Sequence, residues 1–255
     1  MRIVIDNKYI HLKEALKDMP GMFDRKEGQL LFDGRNQVRL VEINGYPIVL
    51  KRFRKRDFIG QLKHTFIRKN KARRAYEKAH ELLRRGFDTP YPIAYLETRR
   101  FGIIRRVYFA CEYTTAQPIR LRLIDQQPFD KDFAIAYAGY IAHLHEAGIL
   151  HRDLNSVNVL FTEKDGQIHF QLIDINRMHF YRHPVSKKKS MKEWNLFWWL
   201  SDVYRFTIKA YADARQWTSG DIAKTILLKQ CHDEKWEKSG KYNQKIFGQR
   251  PLEIL

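Results

Sequence analysis

His151-Arg152-Asp153-Leu154-Asn155-Ser156-Val157-Asn158, followed by an apolar run and by Asp174 in Leu172-Ile173-Asp174-Ile175-Asn176, is the stretch whose reading decides the fold. An Asp that accepts the proton of an attacking hydroxyl, with an Asn placed to hold a magnesium ion, is a phosphoryl-transfer pattern. Four fixed residues at fixed spacing arise by chance about once in several hundred sequences of this length, so the loop needs a second metal-binding carboxylate to carry the reading. Residues 159–161 and 169–173 read as two short strands joined by a turn at 163–166 that contains Gly166. Such a hairpin returns Asp174 to the side of Asn158. Asp153 is then the expected base, and Asn158 with Asp174 the expected metal ligands.

Upstream of this loop, residues 130–150 carry Phe133, Ala136, Tyr137, Tyr140, Ile141 and Leu144 at spacings of three and four. That spacing predicts a helix, closed by Gly148 and feeding Ile149-Leu150 into His151. His143 and His145 are two apart, point to different helix faces and make no metal pair.

Three antiparallel strands are expected over 29–50, with breaks at 33–36 and at Asn44-Gly45. The first break holds one glycine, Gly34, whose backbone can cover nucleotide phosphates. The third strand ends Ile48-Val49-Leu50-Lys51. A lysine closing an apolar strand before a helix suits two charges at once, the phosphates of a nucleotide and a helix carboxylate. The helix expected at 69–85 offers Glu77 and Glu81 on one face, and Glu77 is preferred. Pro90-Tyr91-Pro92 ends that helix, two strands follow at 93–98 and 104–113, and Glu112-Tyr113 lead into a turn-rich linker whose backbone is a candidate adenine reader. At the start of the chain, a strand at 2–5 and a helix at 12–19 ended by Pro20-Gly21 are expected, without chemistry.

The charge balance narrows the partners. The chain has 47 basic against 29 acidic side chains, a net +18, which calls for an anionic partner. Residues 51–74 alone hold eleven Lys or Arg and one acid, interleaved with Phe53, Phe58, Ile59, Leu62, Phe66 and Ile67. Aromatics among cations favour an anionic membrane face or glycolipid over a plain solvated face; RNA would also accept such a run, though no nucleic-acid partner is expected. A second cluster, Lys187-Lys188-Lys189 with Lys192, precedes Trp198-Trp199, which are expected to pack inside a helix. Further helices are expected at 202–212 and 221–230, with Ser219 or Asp221 as caps. Two cysteines, Cys111 and Cys231, make no disulfide framework and point to a reducing cytosol. The first residues lack the order of a signal peptide, and no apolar run reaches the length of a membrane span.

With Lys51, Glu77, His151-Arg152-Asp153, Asn158 and Asp174 assembled, the chain resembles the lipopolysaccharide kinase (Kdo/WaaP) family over about residues 30–200. Ile48-Val49-Leu50-Lys51, Thr89-Pro90-Tyr91-Pro92, His-Arg-Asp-Leu-Asn-x-x-Asn and the short segment after it carry the likeness. The resemblance implies an α+β, two-lobed protein-kinase-like fold, with residues 1–112 as the smaller sheet lobe and 113–255 as the mostly helical lobe. It implies an ATP-dependent, magnesium-requiring enzyme that phosphorylates a core sugar, Kdo or heptose, of lipopolysaccharide. It places Asp153 as base, Lys51 and Glu77 as the nucleotide-positioning pair, Asn158 and Asp174 on the metal, and Gly34, Glu112 and Tyr113 around the nucleotide. Asn155 stands where protein kinases carry a Lys or Arg that steadies the transferring group, and Asp-Ile-Asn stands where they carry Asp-Phe-Gly. The implied location is cytoplasmic and peripheral, at the inner face of the bacterial inner membrane, held by segments 51–74 and 187–192. Two other readings are an atypical protein kinase that acts on tyrosine and a membrane-docked pseudokinase.

Overall fold

Alternation of apolar and polar residues builds an antiparallel sheet in the first part of the chain. Its strands are β1 (Arg2–Ile5), β2 (Gln29–Asp33), β3 (Asn36–Ile43), β4 (Tyr46–Phe53), β5 (Pro92–Arg100) and β6 (Ile103–Glu112), in the spatial order β1-β5-β6-β4-β3-β2. This computed structural model describes residues 1–34, 36–54 and 69–239. The chain divides into two compact units, Met1–Thr114 and Thr115–Leu255. Most of the basic run 51–74, residues 55–68, and Arg35 of the 33–36 turn lie outside the described residues.

The register decides which side chains share a face. Leu50 pairs with Ala110 and Ala110 with Ala94, so all three lie on one side of the sheet. Against that side pack Tyr9, Leu12, Leu16, Met19, Met22 and Phe23. They come from a 3-10 turn (Asn7–Leu12) and two short helices, α1 (Lys13–Lys17) and α2 (Met19–Asp24). Pro20-Gly21 was expected to stop a helix. Instead Pro20 opens α2, because a proline in the first turn costs no hydrogen bond. On the other side, the register puts Lys51, Phe109 and Tyr95 together. There Ala72 and Tyr76 of helix α3 (Lys71–Arg84) pack with Phe53 and Tyr95. The Asn70 side chain caps α3 through the Arg73 amide, 3.0 Å away.

The second unit is mostly helical. Helix α4 (Lys131–Glu146) is capped by Asp130 and buries Phe133, Tyr137, Ile141 and Leu144, as its periodicity predicts. It is followed by the short strand β8 (Ile149–Leu150), which pairs with β11 (His179–Phe180). The hairpin β9 (Val159–Lys164) and β10 (Gln167–Leu172) forms in the expected register, with β7 (Gln117–Pro118) along its edge. Helices α5 (Lys187–Trp194), α6 (Asp202–Ala214) and α7 (Ser219–Lys238) complete the unit. Thr218, rather than Ser219 or Asp221, caps α7, with Asp221 answering it in a capping box. Trp198 and Trp199 do not lie in a helix, because α5 ends at Trp194. They stay half-buried in the loop after it, and Trp194 and Phe197 take the interior places.

Gly148 fixes how α4 hands over to β8. Its φ is +74°, and a Cβ there would lie 2.7 Å from the carbonyl oxygens of both Tyr181 and His183. Gly166 has the same φ but open space around it. Gly148→Ala is therefore expected to cost about 2 kcal/mol or more, and Gly166→Ala about 1 kcal/mol. Urea melts of the two variants test this. Equal midpoints would mean that the chain at 181–183 yields to the methyl group.

Candidate active site

The loop after β8 is held by its own side chains. Asn155 turns its Oδ1 back to accept from the amides of Val157 (3.1 Å) and Asn158 (3.0 Å), the local bonding that suits Asn to turns. The Asn158 Nδ2 donates to the Asp153 carbonyl at 2.9 Å, which aims its oxygen the other way. The Asn158 carbonyl accepts from the Ile173 amide at 3.0 Å, and buried His151 meets the Ile173 carbonyl through Nε2, also at 3.0 Å. Burial holds the His151 imidazole below its ordinary pKa, so the ring is neutral and Nε2–H donates. Two bonds thus tie the loop to the strand end that delivers Asp174.

Asp174 sits in the left-handed region, with φ +54°, and its Oδ1 accepts from Asn176 Nδ2 at 2.8 Å. Ile175 and Asn176, in the places of the missing Phe and Gly, are both buried. An Asn oxygen and a carboxylate are hard donors of the kind magnesium takes, and magnesium needs few protein ligands because phosphates supply the rest. Among the described residues no group of three or more His, Cys, Asp or Glu is placed to hold a metal.

Two residues here carry no motif signal. Arg177, three positions after Asp174, reaches the Asp153 carboxylate at 3.2 Å and is about half exposed. Glu193 on α5 is buried and takes hydrogen bonds from the amides of His151 (3.2 Å) and Arg152. The same carboxylate meets His145 Nε2 at 2.9 Å, and His145 Nδ1 meets the Tyr211 hydroxyl at 2.7 Å. Arg152 has φ +65°, a strained value for a bulky residue, and the Glu193 bond holds it there. A Glu in a basic helix reads as a surface charge, so only the three-dimensional contact reveals it.

The remaining expected residues belong to the first unit. Lys51 lies on the α3 side of the sheet, its ammonium 5.4 Å from the Phe53 ring. Both oxygens of Glu77 are engaged, by Lys69 at 2.7 Å and Arg73 at 2.8 Å. Burial acts to raise its pKa, but those two hydrogen bonds prevail and hold the carboxyl below its ordinary value. Glu81 is engaged by Arg84 and Arg85, each at 2.7 Å. Among the described residues of this unit the buried carboxylate is Glu97, gripped by Asn70 at 2.6 Å and Arg99 at 2.9 Å. Glu112 at the end of β6 accepts from Lys8 at 2.8 Å and from the Tyr9 hydroxyl, and the Tyr113 amide donates to the Pro47 carbonyl at 3.2 Å. Gly34 sits under the Phe32 ring, which a Cβ would meet at 2.6 Å.

Comparison with solved structures finds the fold again in a structure described as WaaP in complex with acyl carrier protein, at a TM-score of 0.61 and 15% identity, covering 92% of this chain and 99% of that one. A Rio2 kinase complex from Chaetomium thermophilum with ADP, Mg2+ and phosphoaspartate matches at a TM-score of 0.48 and 17% identity, over 87% of this chain and 75% of that one. A MAP kinase from Leishmania major matches at 0.43 and 15%, over 85% and 65%. No curated protein sequence matches. The family model described as Lipopolysaccharide kinase (Kdo/WaaP) family matches residues 33–226. With a two-lobed, kinase-like α+β fold and a family match running from the β2–β3 turn into α7, this chain belongs to the lipopolysaccharide kinase (Kdo/WaaP) family.

Proposed function

We propose that this kinase transfers the γ-phosphate of ATP to a sugar hydroxyl, on Kdo or heptose, of the lipopolysaccharide inner core. The observation that carries the reading is the bonding of Asn158. One residue ties the Asp153 backbone to the strand end bearing Asp174, so that a proton acceptor and two oxygen donors share one rigid frame. Asp153 accepts the proton of the sugar hydroxyl as it attacks. Asn158 and Asp174 would hold magnesium, which would offset charge on the triphosphate. Lys51 adds a further positive charge to the phosphates, with Glu77 on the helix beside it and the backbone at Gly34, Glu112 and Tyr113 around the nucleotide.

Asn155 does not supply the cation that protein kinases place at its position, since its oxygen is spent on the loop. Among the described residues, Arg177 is a cation placed to take that role. It holds the Asp153 carboxylate at 3.2 Å and can pass to the transferred phosphoryl group once the hydroxyl is in place. Work on a membrane-borne glycolipid fits a peripheral protein at the cytoplasmic face of the inner membrane. Among the described residues no helix is long and apolar enough to cross a membrane.

The test is transfer of labelled γ-phosphate from ATP with magnesium, offered in parallel to Kdo-bearing lipid A, heptose-bearing core and a generic protein. We expect label on one glycolipid and none on protein. Label on protein alone would replace this reading with an atypical protein kinase, and ATP binding without transfer would leave a pseudokinase.

A further inference from the structure

The tip of the β5–β6 hairpin is built in a way that the fold does not require. Arg100 pairs with Ile103, which leaves Phe101-Gly102 as a two-residue turn with φ of +50° and +76°. Turns with both central residues at positive φ favour Asn-Gly, because a bulky side chain is strained there. This one carries a phenylalanine instead. Phe101 is 89% exposed, the most exposed of the large apolar side chains described, so it returns no packing energy for the strain. Its neighbourhood is equally pointed: residues 98–107 hold four arginines, Arg99, Arg100, Arg105 and Arg106, and no Asp or Glu.

The charges around the tip are placed for a flat anionic surface. The Arg100 guanidinium lies 5.3 Å from the Phe101 ring centre. Arg99 is joined to buried Glu97 at 2.9 Å, and Arg106 reaches exposed Asp24 at 3.4 Å, so each is steadied from the body of the sheet. Thr98 Oγ1 accepts from the Arg106 amide at 3.1 Å, which pins the two strands just behind the turn. The result is a stiff finger with one aromatic at its end and guanidinium groups behind it. An aromatic ring inserts at the headgroup level of a bilayer, while arginine stems lie along the apolar boundary with their heads on lipid phosphates.

We propose that this hairpin tip docks the protein on an anionic phospholipid bilayer, with Phe101 inserted and Arg100 beside it on a lipid phosphate. It is distinct from the basic segments 51–74 and 187–192, and it holds whichever sugar hydroxyl is phosphorylated.

Co-sedimentation of the full chain with phosphatidylglycerol-rich and with phosphatidylcholine vesicles tests the proposal. Phe101→Asn, a residue that suits the turn, is expected to lower partitioning onto the anionic vesicles about ten-fold. Arg100→Gln is expected to lower it about five-fold, and Phe101→Leu to leave it nearly unchanged. The thermal midpoint of Phe101→Asn should equal or exceed that of the original chain. Phosphate transfer to a delipidated core saccharide should not change in Phe101→Asn, while transfer to the lipid-linked core carried in anionic vesicles should fall. Undiminished vesicle binding by Phe101→Asn, or an equal loss in Phe101→Leu, would overturn the docking proposal. Failure to transfer phosphate to either acceptor would instead overturn the kinase reading and leave the vesicle result standing.

Discussion

Asp153→Asn is expected to lower kcat about a thousand-fold while leaving ATP binding and the thermal midpoint close to those of the original chain. The amide keeps the shape of the carboxylate but takes no proton, and general-base assistance accounts for about 10²–10⁴ in rate. A thousand-fold loss corresponds to about 4 kcal/mol in the barrier. Stability should hold because the ion pair lost among the described residues, to Arg177 at 3.2 Å, involves a half-exposed guanidinium, and such pairs contribute little. The loop frame should hold too, since Asn158 is bonded to the Asp153 backbone rather than to its side chain. Single-turnover kinetics separates the chemical step from nucleotide binding. A variant with kcat within about ten-fold of the original would remove Asp153 from the role of base.

How much of this was legible in the sequence depends on whether a signal was local. The β3–β4 and β9–β10 hairpins follow from alternation and turn residues, and α4 from its apolar spacing, because each is decided by neighbours along the chain. The loop motif marks Asp153, Asn158 and Asp174, and the bonds of Asn158 then follow from strand pairing that the sequence predicts. Asn155 was read by its motif position, yet a short amide side chain in a turn bonds its own backbone first. The place of Lys51 on β4, facing α3, is legible from the apolar strand it closes, whereas the choice between Glu77 and Glu81 rests on helix phase alone. Both turn out to be paired with basic residues on or beside their own helix. Glu193 and Arg177 left no trace, because their partners lie some forty and twenty-four residues away in the chain. Trp198 and Trp199 misled for a similar reason: hydrophobicity says that a side chain prefers the interior, not whether Trp194 and Phe197 have already filled it.

Removal of the Glu193 carboxylate should be the most damaging change outside the motif. The oxygens of Glu193 serve three partners at once, the amide of His151 and the ring of His145, both buried, and the part-buried amide of Arg152. His145 bridges two partners, one Glu193 oxygen at Nε2 and the Tyr211 hydroxyl at Nδ1. Burial pushes the Tyr211 phenol up to about 12, which keeps its proton in place. Glu193→Ala removes the acceptor from all three donors at once, at a cost of about 3–5 kcal/mol. For a chain of this size that is a fall of about 6–15 °C in thermal midpoint. Activity should fall further than the unfolded fraction explains, since Arg152 at φ +65° loses the bond that holds it and Asp153 is the next residue. Glu193→Gln gives the separating measurement: it keeps one accepting oxygen and the packing, so it should recover most of the stability and little of kcat, with the KM for ATP unchanged. If Glu193→Gln instead recovers kcat in step with stability, the carboxylate supports the fold alone and does not set the position of the base.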